Sequence, residues 1–277
     1  SLGGKGIRIP PGFATTADAF RAYLKANDLN ATIAERLKAL AEGRISLQEA
    51  GSQIRSAITG GVWPEAMAKD ILAAYAELGR RAGREMPSVA VRSSATAEDL
   101  PDASFAGQQE TFLNIVGAPA LLDACRRCYA SLFTDRAITY RTLKGFDHEK
   151  VALSVGVQMM VRSDISGSGV MFSIDTESGF DKTVLINAAW GLGENVVQGA
   201  VDPDEYQVYK PFLDKPKLTP ILAKSLGAKE KKMIYARAGH GHGSPIRNVP
   251  TSKAEREAFV LSDAEILELA RYAVTIE

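Results

Sequence analysis

Two cysteines and three histidines are the whole supply of thiol and imidazole metal ligands in this 277-residue chain. The cysteines form Cys125-Arg-Arg-Cys128, a CxxC without a second pair, which argues against a disulfide framework and fits a reducing cytoplasm. The flanking pattern is helical, where positions three apart share a face. Two helix cysteines are the plainer reading beside a redox or zinc role. His240-Gly-His242 sits in "HGHGSPIRNVP", a surface loop by composition rather than a metal site. Excess charge is lacking too, since 33 Lys plus Arg balance 33 Asp plus Glu. No basic field points to nucleic acid, and no polybasic cluster to a membrane surface. No apolar run reaches the roughly 18–20 residues of a spanning helix, and no signal-peptide pattern is seen. The common phosphate loops fail as well. "GGKG" at 3–6 lacks the leading glycine and the hydroxyl after Lys5 that a Walker loop needs. "WGLGENVVQG" has Gly191 and Gly193 but Val196 at the third fingerprint position, which argues against a dinucleotide site. A strand-ending turn, or a phosphate- or metal-facing loop carrying Glu194, stays open for it.

What is present is an ordinary globular composition, 45% hydrophobic and 24% charged, in a chain long enough for two or three lobes. From Thr16 to Gly83 the pattern is helical. "TTADAFRAYLKAND" places Phe20, Tyr23 and Leu24 at three-to-four spacing behind a capping start. "SLQEAGSQIRSAI" and "EAMAKDILAAYAELGRRAG" continue the amphipathic theme. After Pro87 strands are predicted at Ser88–Ser93, "QQETFLNIV", "KVALSVGVQMMV", "GSGVMFSI", "KTVLINAAW" and "PDEYQVYK", with one long helix over Ala118–Leu143. "KLTPILAKSLGAKEKKMIYA" reads as a polar hairpin. The order predicts an α+β fold divided into a mainly helical lobe, residues 1–87, and strand-rich lobes, residues 88–277, with a ligand in the cleft between lobes. "ILELARYAVTIE" keeps helical spacing to the last residues without a closing Gly, Asn or Pro, and the chain begins at Ser1. Both ends therefore read as those of a piece of something longer.

Two polar residues stand out. In "VRSSATAEDLPDASFAG" strand alternation puts Val89 and Val91 on one face and Ala90 with Arg92 on the other. Arg92 therefore leaves a strand beside a loop rich in hydroxyls and N–H groups, a reasonable cradle for phosphate oxygens. A salt bridge to Glu98, Asp99 or Asp102 is an equal alternative. In "VALSVGVQMMV" the odd positions Val151 to Val161 form an apolar stripe, while Gln158 shares the even face with Ala152, Ser154 and Gly156. Those small residues leave room for a flat group that an amide could bond. A solvent-facing glutamine on a half-exposed sheet is the other reading.

"PPGFATTADAF", "VRSSATAEDLPDASFAGQQETFLNI", "MFSIDTESGF" and "WGLGENVVQGAVDPDEY" closely resemble, in this order, the N-terminal nucleotide-binding domain of the phosphoenolpyruvate synthase (pyruvate, water dikinase) family. The likeness runs from about Ile9 to the end. It implies an ATP-grasp-like fold with mixed sheets, ATP and Mg²⁺ as cofactors, and an enzyme that converts ATP, pyruvate and water to AMP, phosphoenolpyruvate and phosphate. It also implies partners within the parent chain, a mobile histidine domain and a pyruvate-binding barrel. Carried over, Arg92 contacts the terminal phosphates, Gly107 lets the loop backbone close over them, Thr111 touches the nucleotide beside it, and Gln158 lies at the adenine end. Rifampicin-type antibiotic phosphotransferases have a similar arginine loop and are the alternative, together with a stand-alone nucleotide-binding module. The family's ATP-binding lysine would precede Ser1 and is not Lys5. Its metal-binding glutamate strand and its "VQAR" strand would follow Glu277, and no histidine here has the phosphocarrier setting. The segment alone is thus expected to bind nucleotide weakly or not at all, and to turn nothing over.

Overall fold

The computed structural model describes residues 2–95, 99–100, 103–104, 110–236 and 245–277, with backbone alone for residues 2, 95, 99–100 and 103–104. The chain forms two compact units. One is Pro10–Met160; the other joins Ser1–Ile9 to Val161–Glu277. Compactness thus places the division away from residue 87, because the N-terminal helices and the first strands share one core.

In the first unit, β1 (Gly12–Ala14) precedes four helices, α1 (Ala17–Ala26), α2 (Leu29–Ala41), α3 (Leu47–Gly60) and α4 (Glu65–Arg81). The capping start holds: the Thr16 hydroxyl accepts from the Ala19 N–H at 3.2 Å, and Ser46 with Glu49 closes a reciprocal box on α3. Then come β2 (Val89–Ala95), the short pair β3 (Asp99–Leu100) and β4 (Ala103–Ser104), β5 (Thr111–Ile115), α5 (Ala118–Ser131), α6 (Asp135–Lys144) and β6 (Leu153–Met159). The single helix expected over Ala118–Leu143 is therefore two. Leu132 and Phe133 turn into the core, and Thr134 caps a new helix by accepting from the Ala137 N–H at 3.2 Å.

These strands form an antiparallel sheet in the order β1-β6-β2-β5. The apolar stripe behaves as read through Leu153, Val155 and Val157, all fully buried against the helices with Val89 and Val91. Each contributes roughly 1.5–3 kcal/mol by leaving water. The stripe stops short of Val161, which is 60% exposed beyond the last ladder pair. The edge strand β1 has no counterpart in the sequence reading. Cys125 and Cys128 belong to this core, and burial pushes the Cys125 thiol up to about 12 and that of Cys128 higher. Neither is a reactive thiolate.

A buried cation also lies in this unit. Arg141 is fully buried, its Nε donates to His148 Nδ1 at 2.9 Å, and its two terminal nitrogens have no hydrogen-bond partner among the described residues. The bond requires a neutral imidazole, and burial with the Arg141 charge holds the His148 pKa below its ordinary value. The unfolded chain therefore takes up the proton first. Stability is full above the unfolded value, about 6.5, and falls as pH drops below it towards the folded one. We expect the urea midpoint to decline below that pH, and His148→Gln to remove that share of the slope.

The second unit holds β7 (Gly167–Phe172), β8 (Thr183–Trp190), α7 (Glu194–Val197), β9 (Asp204–Tyr209), β10 (Ile221–Ser225), β11 (Lys231–Tyr235), β12 (Ile246–Pro250), α8 (Lys253–Glu257) and α9 (Asp263–Ile276). Its main sheet runs β10-β9-β8-β7, antiparallel throughout, with α9 packed on Val184, Ile186, Tyr206 and Val208. Parallel pairing among the described residues is confined to one bridge, Gly191 to Met233. The polar hairpin does not form: β10 pairs with β9, and β11 with β12, the latter lying within the stretch read as a surface loop. What parts them is a buried knot between the two strands. Asp204, fully buried, accepts from the Gly227 N–H at 2.9 Å, the Val260 N–H at 2.8 Å, the Tyr206 hydroxyl at 3.1 Å and the Lys229 ammonium, itself fully buried. Lys229 also donates to the Gly227 carbonyl at 3.0 Å. Among the described residues no helix is long and apolar enough to cross a membrane.

Candidate functional site

One face of the first unit's sheet carries the helices. The other is built from the alternate residues, and the register fixes who stands beside whom. Arg92 lies between Thr111 of β5 and Gly156 of β6 in one row. Two residues along, Ala90 faces Gln158, and Gln158 faces Gly12 of β1. Ser94 faces Ser154 on the other side, and Ala14 faces Gly156. Neighbouring strands lie about 4.8 Å apart, and diagonal positions such as Arg92 and Gln158 roughly 7–8 Å. Three of the four residues singled out in the sequence therefore share one surface, separated by a floor of Gly and Ala. The fourth, Gly107, lies outside the described residues.

Arg92 and Thr111 are exposed and Gln158 is half-buried. The Arg92 guanidinium has no ion-pair or hydrogen-bond partner among the described residues. Of its alternative partners, Glu98 and Asp102 lie outside those residues, and only the backbone of Asp99 is described. Gln158 is anchored: its Nε2 donates to the Pro10 carbonyl at 3.0 Å. Gly156 leaves the floor bare by choice of residue rather than by need. A Cβ built there would come no closer than 3.8 Å to a neighbour, the Arg92 carbonyl oxygen. Gly12 is different, since a Cβ would sit 2.4 Å from the Val157 carbonyl oxygen, so the close approach of β1 requires glycine. The sequence reading missed Gly12 and Ala14, although "PPGFATT" pairs two small residues at strand spacing.

The other candidate loop resolves as a turn. Gly191 has φ 86°, its Cβ would meet the Met233 carbonyl at 2.5 Å, and its own carbonyl accepts from the Ser168 hydroxyl at 2.7 Å. Glu194 accepts from Gln198 Nε2 at 2.7 Å. Among the described residues no group of three or more His, Cys, Asp or Glu is placed to hold a metal, and His240 and His242 lie outside them.

An exposed cation, hydroxyls and an oriented amide on one sheet face suit a charged, planar ligand. Comparison with known proteins names the class. The model of the pyruvate phosphate dikinase AMP/ATP-binding domain family matches residues 2–277. The chain belongs to this family. As an AMP/ATP-binding domain of the pyruvate phosphate dikinase type it has the ATP-grasp-like α+β fold that the resemblance implied. It is 52% identical over 274 residues, 99% of its length, to the phosphoenolpyruvate synthase of Neisseria meningitidis serogroup B. It is 52% identical over 279 residues to that of Escherichia coli K12, and 51% over 281 to that of Synechocystis, each covering the whole chain. The chain spans about a third of the length of these relatives, 34%, 35% and 34% respectively.

Proposed function

We propose that the exposed face around Arg92 is the ATP-binding surface of a phosphoenolpyruvate synthase, in which ATP phosphorylates a carrier histidine elsewhere in the parent chain and the phosphoryl group passes on to pyruvate. The observation that carries this is the single row Thr111–Arg92–Gly156, with Gln158 one diagonal away. Phosphoryl transfer asks a protein mainly for positioned positive charge. A guanidinium without a partner among the described residues meets that need, since its fork can take two phosphate oxygens and spread the charge that builds on the moving group. The Thr111 hydroxyl stands beside it as a neutral donor. Gly107, outside the described residues, is proposed on the resemblance alone to close its backbone over the same phosphates. The Gly-and-Ala floor receives the flat part of the nucleotide, and Gln158 lies at its base end. None of the described residues of this face is a carboxylate, so they do not offer a magnesium site. Mg²⁺ is proposed as a companion of the phosphates, and no step is assigned to it.

The bare floor gives the test. Gly156→Leu fits the strand, because a Cβ there has ordinary clearance, but its side chain covers the face. In the full-length protein we expect ATP affinity to fall roughly tenfold or more, about 1.4 kcal/mol, with the melting temperature held within a few degrees. Titration calorimetry showing unaltered ATP binding would place the nucleotide elsewhere.

A further inference from the structure

Alternation alone would read "TFLNI" with Leu113 and Ile115 on one face of β5, and Phe112 and Asn114 on the other. The ladder does otherwise. Ile115 stands opposite Val89, Phe112 opposite Val91 and Thr111 opposite Arg92. Leu113 and Asn114 thus fall between two pairs that Ala90 alone separates on β2, which makes a bulge. The extra residue changes the phase of the strand. Phe112 and Ile115, three apart, both pack on the core that the helices cover, and the Arg127 guanidinium of α5 lies over the Phe112 ring at 4.1 Å.

Two features hold the bulge in place. Tyr75 ties the strand ends together, its hydroxyl donating to the Pro87 carbonyl at 2.7 Å and accepting from the Gly117 N–H at 3.1 Å. The register of Ile115 is fixed from that end. Asn114 then takes φ 55°, the left-handed region that asparagine tolerates better than most residues. Its Oδ1 accepts from the Ser88 hydroxyl at 2.7 Å. An extended residue at 114 would let the straight ladder form. Leu113 would then take the place opposite Val91, and the Phe112 ring would stand opposite Arg92. Both registers set an apolar residue against Val91, so core burial separates them little and the backbone at 114 decides.

We infer that Asn114 is a positioning residue of this site, its left-handed backbone selecting the register in which the Thr111 hydroxyl, and not the Phe112 ring, lies opposite Arg92. The use of that row for phosphate rests on the ATP-binding surface proposed above, whereas the register does not. A ring in that place would offer its face to the guanidinium and no donor to a phosphate oxygen.

Disulfide formation in the full-length protein reads the register without any ligand, because directly opposed residues of antiparallel strands come close enough to bridge. Cys125 and Cys128 are fully buried and stay out of the exchange. With Asn114 in place, the pair Arg92→Cys/Thr111→Cys is expected to bridge on oxidation, and the pair Arg92→Cys/Phe112→Cys is not. Asn114→Val favours extended backbone and should reverse the two. Asn114→Gly loses the same amide but takes positive φ freely, and should bridge as wild type does. ATP titration of the single variants gives the consequence. Asn114→Val is expected to weaken binding about tenfold or more, the scale of one lost charge-assisted hydrogen bond, while Asn114→Gly keeps it. A bridge to position 111 that survives in Asn114→Val overturns the inference, as does a variant that bridges at neither position. Equal weakening by Gly and Val would show that the amide matters and the backbone does not. If the bridges reverse and ATP affinity holds, the positioning role falls. Gly156→Leu then tells whether the surface falls with it: lost ATP affinity there keeps the surface, and normal affinity removes it.

Discussion

Arg92→Ala in the full-length protein is expected to lower ATP-dependent phosphorylation of the carrier histidine by two or more orders of magnitude. That is about 2.7 kcal/mol of barrier, the usual cost of removing one positioned charge-stabilising donor. The fold supplies the control. Arg92 is exposed and its guanidinium binds nothing among the described residues, so its loss should change stability by no more than about 0.5 kcal/mol. Activity and stability thus separate at this position, as they rarely do for an arginine built into a salt bridge. Arg92→Lys keeps the charge but not the planar fork, and should recover only part of the rate. Radiolabel from γ-labelled or β-labelled ATP, followed into the protein, measures the step directly. Normal labelling in Arg92→Ala would show that the guanidinium serves some other purpose.

The second large effect concerns stability. Asp204→Ala removes the acceptor of four donors at once and leaves the Lys229 ammonium buried without a counter-charge. Breaking such a pair costs about 3–5 kcal/mol, a large share of the 5–15 kcal/mol that holds an ordinary domain together. Lys229→Met should cost less, because the Asp204 carboxylate keeps three neutral donors, the Gly227 and Val260 N–H groups and the Tyr206 hydroxyl. The asymmetry is the signature of a charge that is dear to strand rather than of a contact that is strong. Chemical denaturation of both variants and of the double replacement gives the coupling between them. Two single variants within about 0.5 kcal/mol of wild type would show that the knot is not what secures this unit.

Much of this was legible in the residues, and the failures have a common cause. Periodicity located the amphipathic helices and the buried stripe Leu153–Val157, because burial on one face writes itself into every second or fourth residue. Strand alternation alone put Arg92 opposite Val89 and Val91, and Gln158 on the small-residue side. That the two belong to adjacent strands came from pairing register, which local pattern does not encode. The misread segments are those ordered by polar contacts. Lys229 falls in the stretch read as a polar hairpin, yet it is fully buried and parts β10 from β11. Residues 246–250 lack any apolar alternation and are a strand only because β11 offers a ladder. At Thr134 a capping residue outweighed a continuous helical pattern. The division into units escaped notice because helices and strands that differ in composition can still share one interior.

The unit of residues 10–160 is continuous in the chain, while the other is assembled from residues 1–9 and 161–277. During synthesis the continuous unit can complete its interior as soon as β6 leaves the ribosome. Residues 1–9, made before that unit, must wait until residues 161–277 follow it. Translation order and structural order are therefore opposed for residues 1–9. A pause or early stop after residue 160 would leave the continuous unit finished and those nine residues without a seat.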